Sequence, residues 1–207
     1  MERYLVRHGA VGPAQAERRA DPPLSAQGRA QAEALAARLA GVDFVRCFVS
    51  PLARAQETAR VLCAGRALTL ETHACLAEGS YGALDGLEPE EARRRHPEFY
   101  RRGRTVLARL AATGRTAPGG ETRAELIARA TQACELLQGP LFDPGARALV
   151  VSHGGLLAFL VALLVGHEPR DEATFGFDPC AFARVVAYRE EPSWGPFAML
   201  HFAAPPL

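Results

Sequence analysis

The stretch LVRHG, residues 5–9, is a short apolar strand that ends in an arginine, a histidine and a glycine. A neutral imidazole is a nucleophile near neutral pH. A guanidinium binds phosphate oxygens through two parallel hydrogen bonds. The cation of Arg7 also disfavours a metal ion at His8, because like charges repel. The stretch therefore predicts a strand end that binds an anionic ligand, with His8 placed to attack it.

Strands and helices alternate along the rest of the chain. Hydrophobic periodicity predicts strands over 4–6, 44–49, 68–71, 150–151, 183–188 and 197–202, and helices over 25–39, 51–63, 122–138 and 156–165. This alternation predicts an α/β fold, a three-layer sandwich with a mostly parallel central sheet covered by helices on both faces. Ligands of such sheets bind beyond the carboxyl ends of the strands, where His8, Ser50 and His153 all fall.

Residues 72–120 are the least regular part of the sequence. They contain several glycines, a basic helical stretch over 90–109 and a loop that ends in PGG at 118–120. We expect a single domain over 1–207 in which residues 72–120 form a small helical insertion that caps the substrate.

Composition excludes several classes of function. The net charge of +1 provides no global field for nucleic acid or anionic lipid. All 24 basic residues are Arg, which excludes a Schiff-base lysine and a Walker A loop. The five cysteines form no C-x-x-C pair, and they predict free thiols in a reducing compartment.

The most apolar segment, residues 148–166, approaches the length of a membrane span. The polar interruption Ser-His-Gly-Gly at 152–155 splits it into a strand and a helix too short to cross a bilayer. The amino-terminal residues leave no room for a signal peptide before the first motif. We therefore expect a cytoplasmic protein without a membrane partner.

Three further motifs carry polar side chains at predicted turns. SPLARAQETA at 50–59 places Arg54 near a helix N-terminus, which favours anions. LAEGSYG at 76–82 places Glu78 just before a turn, and VVSHGG at 150–155 repeats the strand-His-Gly pattern of the first motif. Two His-Gly corners at strand ends are unusual in a chain with six histidines.

These motifs, together with PGGET at 118–122, resemble those of the histidine phosphatase superfamily in order and approximate spacing, over roughly the whole chain. The resemblance implies that His8 takes up the phosphoryl group as a phosphohistidine. It implies that Arg7, Arg54 and His153 stabilise the charge on the phosphoryl oxygens. Glu78 would protonate the leaving oxygen and then help water attack the phosphohistidine.

The same resemblance assigns Gly9, Tyr81 and Gly154 to substrate binding, with the Gly154 N–H directed at the phosphoryl group. Residues 10–14, Ala-Val-Gly-Pro-Ala, depart from the family pattern, because many members carry polar phosphate-binding side chains there. The proposed chemistry needs no metal and no cofactor. The two guanidinium groups beside His8 are expected to disfavour its imidazolium form.

The function predicted first is a phosphomonoesterase that hydrolyses a small phosphorylated metabolite, with alpha-ribazole phosphatase among the relatives of similar length. A phosphoglycerate mutase is the alternative, because the aromatic-Arg-Arg run at 99–103 resembles weakly an element that binds substrate carboxylate in mutases. The crowded arginines of 93–104 otherwise read as a solvated helix face. A protein-directed phosphohistidine phosphatase or binding protein is the third reading. The physiological substrate and a homodimeric assembly are left open.

Overall fold

A computed structural model describes residues 2–12, 21–87, 89–101, 114–115, 117–138, 145–167, 175–187 and 198–203. The strands in these ranges are β1 (Glu2–Arg7), β2 (Arg46–Val49), β3 (Leu70–Thr72), β4 (Arg147–Ser152), β5 (Phe182–Ala187) and β6 (Ala198–Ala203). The α-helices are α1 (Ala26–Arg38), α2 (Ala53–Leu62), α3 (Pro89–Arg95), α4 (Pro97–Tyr100), α5 (Arg123–Gln138) and α6 (Gly154–Leu164). Two short 3-10 helices cover Ala74–Leu76 and Gly82–Leu84.

The described strands form one six-stranded sheet in the order β3-β2-β4-β1-β5-β6. Neighbouring strands from β3 to β1 pair in parallel, whereas β5 pairs antiparallel with both β1 and β6. Only β5 among these strands runs against the others. The prediction of a mostly parallel sheet is therefore confirmed.

Helices cover both faces of this sheet, because alternate residues of its central strands point to opposite sides. Leu5 belongs to a core that contains the apolar sides of α5 and α6, and Tyr4 and Val6 belong to a second core with α1 and α2. The three-layer arrangement predicted from the alternating pattern is confirmed.

Local sequence signals explain where the main helices begin. The side chain of Ser25 accepts a hydrogen bond from the Gly28 N–H at 3.0 Å and caps α1. The apolar segment 148–166 divides as predicted into β4 and α6, with His153 at the N-cap between them. No helix in the described ranges combines the length and the apolar character that crossing a bilayer requires.

The basic stretch predicted as one helix over 90–109 is divided. Helix α3 ends at Arg95 and α4 begins at Pro97, with His96 in a non-helical conformation at φ −129° and ψ 55°. The cause is Pro97, which disfavours helical geometry at the preceding residue. The rest of the predicted helix, residues 102–109, lies outside the described residues.

Within residues 72–120, Leu84, Ala92, Phe99 and Ala117 form a third, smaller hydrophobic cluster. Its expected role as a substrate cap, like the assignment of 1–207 to one domain, stays a prediction. The five cysteines are all buried and free, as expected of a chain without a disulfide framework.

Candidate active site

The carboxyl ends of β1, β2 and β4 lie level at one edge of the sheet. Their register pairs Arg7 with Ser152 and Val49 with Val151. The hydrogen bonds continue one residue beyond the strands: the N–H of His8 donates to the Ser152 carbonyl at 3.0 Å, and that of Ser50 donates to the Val151 carbonyl at 3.0 Å. Register therefore brings the polar ends of three separate motifs to one place.

The ring of His8 is buried and fixed at both nitrogens. Its Nδ1 lies 2.7 Å from the Gly9 carbonyl oxygen, and its Nε2 lies 3.2 Å from the Nε of Arg54. A carbonyl only accepts and a guanidinium only donates, so Nδ1 carries the proton and Nε2 presents the lone pair. This is the tautomer in which Nε2 is the nucleophilic atom.

Burial lowers the pKa of His8 from 6.5 to about 3, with further lowering by the positive charges of Arg54 and Arg7. The direction agrees with the expectation from the two neighbouring guanidinium groups, although burial contributes more than they do. The imidazole is thus neutral near neutral pH, and its lone pair is available for attack on an electrophile.

A carboxylate that sequence reasoning missed holds Arg54 in place. Asp21 accepts from the Nη1 of Arg54 at 3.0 Å, and its second oxygen accepts from the Ala53 N–H at 2.7 Å. On the same helix, Thr58 accepts from the Gly9 N–H at 3.1 Å and donates to the Arg54 carbonyl at 2.8 Å. Helix α2 and the His8 loop are thereby tied together around the arginine.

His153 is fully buried, and its ring centroid lies 5.0 Å from that of His8. Its Nε2 lies 2.7 Å from the Ser50 hydroxyl. Burial, followed by the charge of Arg54 and of other nearby cationic groups, holds the pKa of His153 far below its usual range. This histidine is therefore neutral and can donate only from one nitrogen at a time.

Arg7 reaches the site from β1, and its Nη1 donates to the Phe177 carbonyl at 2.5 Å. Gly154 opens α6 close to this side chain, because a Cβ at Gly154 would lie 3.5 Å from the Arg7 Nε. Within the described part of the chain, the Arg7 Nε and the His153 Nδ1 are buried without a hydrogen-bond partner. Buried polar atoms of this kind indicate a place where a polar ligand binds.

Glu78 lies beside the amino end of α6. Its carboxylate accepts from the Gly79 N–H at 3.0 Å and from the Gly155 N–H at 3.4 Å. Gly155 is required for this approach, because a Cβ there would lie only 2.7 Å from a Glu78 oxygen. The carboxylate is thus held against the same helix terminus that Arg7 contacts.

Arg129 of α5 fixes the segment that carries Glu78. Its Nη1 donates to the carbonyls of Cys75 and Ala77. Its Nε and Nη2 bind the two carboxylate oxygens of Glu121 at 2.9 and 2.7 Å, and both side chains are largely buried. The bidentate ion pair therefore joins α5 to the backbone just before Glu78.

The structure brings together all five residues predicted to be catalytic: Arg7, His8, Arg54, Glu78 and His153 stand at one edge of the sheet. Gly9 and Gly154 lie there too, but the N–H of Gly9 donates to Thr58. Tyr81 packs against the third hydrophobic cluster, so its contact with substrate stays a prediction. Among the described residues, no group of three or more His, Cys, Asp or Glu side chains could hold a metal ion.

The side chains missed in the sequence are those that hold others in place: Asp21, Thr58, Glu121 and Arg129. Asp21 lies 33 positions from Arg54, and Arg129 lies more than 50 positions from the carbonyls it binds. No periodicity or spacing links residues so far apart. Thr58 lies within the motif SPLARAQETA and Glu121 within PGGET, and this was the one signal that could have found them.

Comparison with known proteins places this geometry in a family. The family model described as histidine phosphatase superfamily (branch 1) matches residues 3–195. The probable phosphoglycerate mutase GpmB of Yersinia enterocolitica is 31% identical over 198 residues, which cover 91% of this chain and 86% of that protein.

Solved structures show the same fold. Alpha-ribazole phosphatase from Shigella flexneri aligns with a TM-score of 0.79 at 24% identity, over 100% of this chain and 99% of that one. The native mycobacterial glucosyl-3-phosphoglycerate phosphatase aligns with a TM-score of 0.75 at 25% identity, over 97% of each chain. The sequence motifs, the fold and the match over nearly the whole length agree, and the chain belongs to the histidine phosphatase superfamily, branch 1.

Proposed function

We propose that the protein is a phosphomonoesterase that hydrolyses a small phosphorylated metabolite in the cytoplasm, without a metal ion, through a phosphohistidine on His8. The observation that carries the proposal is the surrounding of the His8 lone pair. Arg54 donates to the Nε2 that carries this lone pair, the neutral ring of His153 lies 5.0 Å from the His8 ring, and the charge of Arg7 acts on His8. Two buried N atoms, on Arg7 and His153, have no described partner.

In the first step, Nε2 of His8 attacks phosphorus and the bond between phosphorus and the ester oxygen breaks. The proton stays on Nδ1, which donates it in a hydrogen bond to the Gly9 carbonyl oxygen, and this bond stabilises the positive charge that develops on the ring. Arg7 and Arg54 stabilise the charge spread over the three phosphoryl oxygens. His153 adds a hydrogen bond from Nδ1, since its Nε2 can accept from the Ser50 hydroxyl.

Glu78 supplies the proton that the leaving alkoxide needs. In the second step a water molecule attacks phosphorus, Glu78 takes one proton from that water, and the bond between phosphorus and Nε2 breaks. Phosphate leaves, and His8 and Glu78 regain their starting states. Atoms and protons balance over the two steps, and the net reaction is hydrolysis of a phosphate monoester.

The test is hydrolysis of phosphate monoesters in the presence of a chelator by the wild type, His8→Ala and the control His167→Ala, which alters an exposed histidine. We expect His8→Ala to lower kcat at least about a thousandfold and His167→Ala to leave it unchanged. Activity that survives in His8→Ala, or that the chelator abolishes, would contradict the proposal.

A phosphoglycerate mutase is the second candidate, and the 31% identity to a protein of that name is the observation that favours it. A mutase returns the phosphoryl group to a second hydroxyl before water attacks. Stimulation of phosphoglycerate isomerisation by a trace of bisphosphoglycerate, with little release of phosphate, would establish this function instead.

A further inference from the structure

The antiparallel ladder between β5 and β1 changes at Arg7. The two strands are paired up to the residue before Arg7, and the Arg7 N–H then donates to the Ala181 carbonyl at 3.1 Å. The Ala181 N–H donates to the Asp178 carbonyl at 2.9 Å, and the Arg7 carbonyl accepts from the Cys180 N–H at 3.1 Å instead. Two residues, Cys180 and Ala181, therefore stand opposite Arg7, which is the geometry of a β-bulge.

Cys180 has a backbone conformation that cysteine rarely adopts. Its φ is 57°, and among the residues that the structure describes it is the one residue other than glycine with a positive φ. The first residue of a bulge of this kind is usually glycine, because a Cβ is crowded in the left-handed region. Cys180 is also the third residue of the turn from Asp178 to Ala181, with Pro179 second, and a type II turn favours glycine there for the same reason. Cysteine therefore carries a backbone strain that glycine would avoid.

The side chain of Cys180 explains how the strained residue is held. It is fully buried, and it belongs to the core that contains Tyr4 and Val6 of β1. A strained residue persists only where the surrounding structure fixes it, and such residues cluster at functional sites. The buried thiol thus anchors the bulge beside the strand end that carries Arg7 and His8.

The bulge and the residues just before it bind Arg7 and His8 at several atoms. The Cys180 N–H lies 3.3 Å from the His8 carbonyl oxygen, so it donates to this carbonyl as well as to that of Arg7. The Phe177 carbonyl accepts from the Arg7 Nη1 at 2.5 Å and fixes the guanidinium. With Nη1 bound in this way, the Arg7 Nε, which is buried without a partner in the described part of the chain, is left for an anionic ligand.

We propose that the bulge at Cys180 and Ala181 positions Arg7 for the phosphoryl group, and that the positive φ of Cys180 sets this position. Cys180 is then a positioning residue, because it acts through Arg7 and does not itself contact the substrate. The inference rests on the proposed function, since it takes Arg7 as a ligand of the phosphoryl oxygens. The competing explanation is that the buried thiol only fills space in the core.

Two substitutions separate the backbone role from packing. Cys180→Gly removes the thiol but adopts a positive φ readily, whereas Cys180→Val retains a buried apolar side chain that is disfavoured at positive φ. Loss of one charge-assisted hydrogen bond weakens binding about tenfold. We expect the Kd of inorganic phosphate, measured by phosphorus NMR titration, to rise about tenfold or more in Cys180→Val and less than about threefold in Cys180→Gly. The reverse order, or an unchanged Kd in Cys180→Val, would overturn the inference.

The matched control is Cys134→Val, the same substitution at a buried cysteine within α5, where the backbone is helical. Its Kd for phosphate should change less than about twofold, and a rise as large as that in Cys180→Val would overturn the inference. If Cys180→Val does not fold by circular dichroism, Cys180→Ala replaces it, because alanine lacks the thiol as glycine does but keeps the crowded Cβ. We expect Cys180→Ala to bind phosphate at least about threefold more weakly than Cys180→Gly, and equal binding would overturn the inference.

Turnover by the wild type separates this inference from the proposed function. If the wild type hydrolyses no ester and forms no phosphoenzyme, yet the variants bind phosphate in the expected order, the proposed function fails and the positioning of Arg7 stands. If the wild type hydrolyses esters and the expected order is absent, the positioning role fails alone.

Discussion

The Nε–H of Arg54 donates to the Nε2 of His8 across 3.2 Å, so the lone pair that we propose attacks phosphorus is covered by a guanidinium when no substrate is bound. A bound phosphoryl group offers that guanidinium oxygen atoms with negative charge, which it binds more strongly than a neutral ring nitrogen. Binding of the substrate would then uncover the nucleophile. On this account Arg54, the arginine proposed to bind the phosphoryl group, also controls access to the His8 lone pair.

Asp21 is predicted to position Arg54 for this exchange. Asp21→Ala removes the acceptor from both the guanidinium and the Ala53 N–H, and a misplaced catalytic group costs up to about a hundredfold in rate. We expect kcat/KM to fall about 10–100-fold. Asp21→Asn retains one oxygen acceptor, so its kcat/KM should fall less than that of Asp21→Ala. Steady-state kinetics on one substrate measures kcat/KM for both variants. Equal kcat/KM for the wild type and Asp21→Ala would contradict the positioning role of Asp21.

The pKa of His8 predicts a characteristic dependence on pH. Burial places it at about 3 in the folded protein, against about 6.5 in an unfolded chain. Below about 6.5 the unfolded chain therefore binds a proton that the folded protein does not, and stability falls as the pH drops from about 6.5 towards 3. Above 6.5 this contribution to stability is fully present.

Thermal unfolding between pH 4 and 7 checks this sign. The midpoint of the wild type should fall with decreasing pH more steeply than that of His8→Gln, which lacks the titrating ring. Ring nitrogen NMR on the folded protein should show no protonation of His8 between pH 5 and 8. A His8 signal that titrates near 6.5 would contradict the burial argument.

Arg129 is predicted to position Glu78 through the carbonyls of Cys75 and Ala77. Arg129→Gln should lower kcat/KM for an alkyl phosphate about 10–100-fold, because its leaving group needs the acid. For p-nitrophenyl phosphate, whose leaving group is stable as an anion, the loss should be less than about threefold. Equal losses on both esters would indicate a general structural role. The exposed Arg60→Gln serves as control.

Loss of the buried ion pair with Glu121 could unfold the protein before kinetics is measured. Gly155→Ala gives a second route to the same question, because its Cβ would displace only the end of the Glu78 side chain. We expect Gly155→Ala to lose more kcat/KM for the alkyl phosphate than for p-nitrophenyl phosphate. Its circular dichroism spectrum and unfolding midpoint should stay close to those of the wild type.

Gly28 of α1 lies against the backbone of Ala10, next to His8 and Gly9. We therefore expect Gly28→Ala to destabilise the protein, although helix propensity alone would favour alanine. Alanine in place of glycine normally stabilises a helix by about 1 kcal/mol. At Gly28, however, a Cβ would lie 1.9 Å from the Ala10 carbonyl oxygen, and overpacking costs roughly 1–3 kcal/mol. Gly28→Ala should therefore lower the free energy of unfolding in denaturant titrations. Gly41→Ala, whose Cβ meets nothing within 4 Å, should not.

Local patterns were sufficient to predict the sheet and the meeting of several polar strand ends at one edge of it. His8, Ser50 and His153 each follow an apolar strand, and parallel strands place their carboxyl ends at one edge. The predicted helix over 25–39 corresponds to α1 because its N-cap, Ser25, is a local signal. The helix over 90–109 was wrong across Pro97, although the effect of proline on the preceding residue is also local.

The residues that hold the site together could not be predicted in this way. Asp21 and Arg129 act through contacts between distant parts of the chain, and these arise only when helices pack on the sheet. The same is true of a cavity beside Glu78, whose wall combines residues 78–80 with residues 115–129. Sequence patterns indicated the chemistry of the site, while its electrostatic balance required the three-dimensional arrangement.

The most direct measurement of the central claim is the mass of the intact protein after rapid mixing with substrate and quenching. The wild type should gain one phosphoryl group that is labile in acid and stable in base, and peptide mapping should place it on His8. His8→Ala, folded by circular dichroism, should gain none. A wild type that gains no phosphoryl group during turnover, or a group that still forms in His8→Ala, would contradict the account.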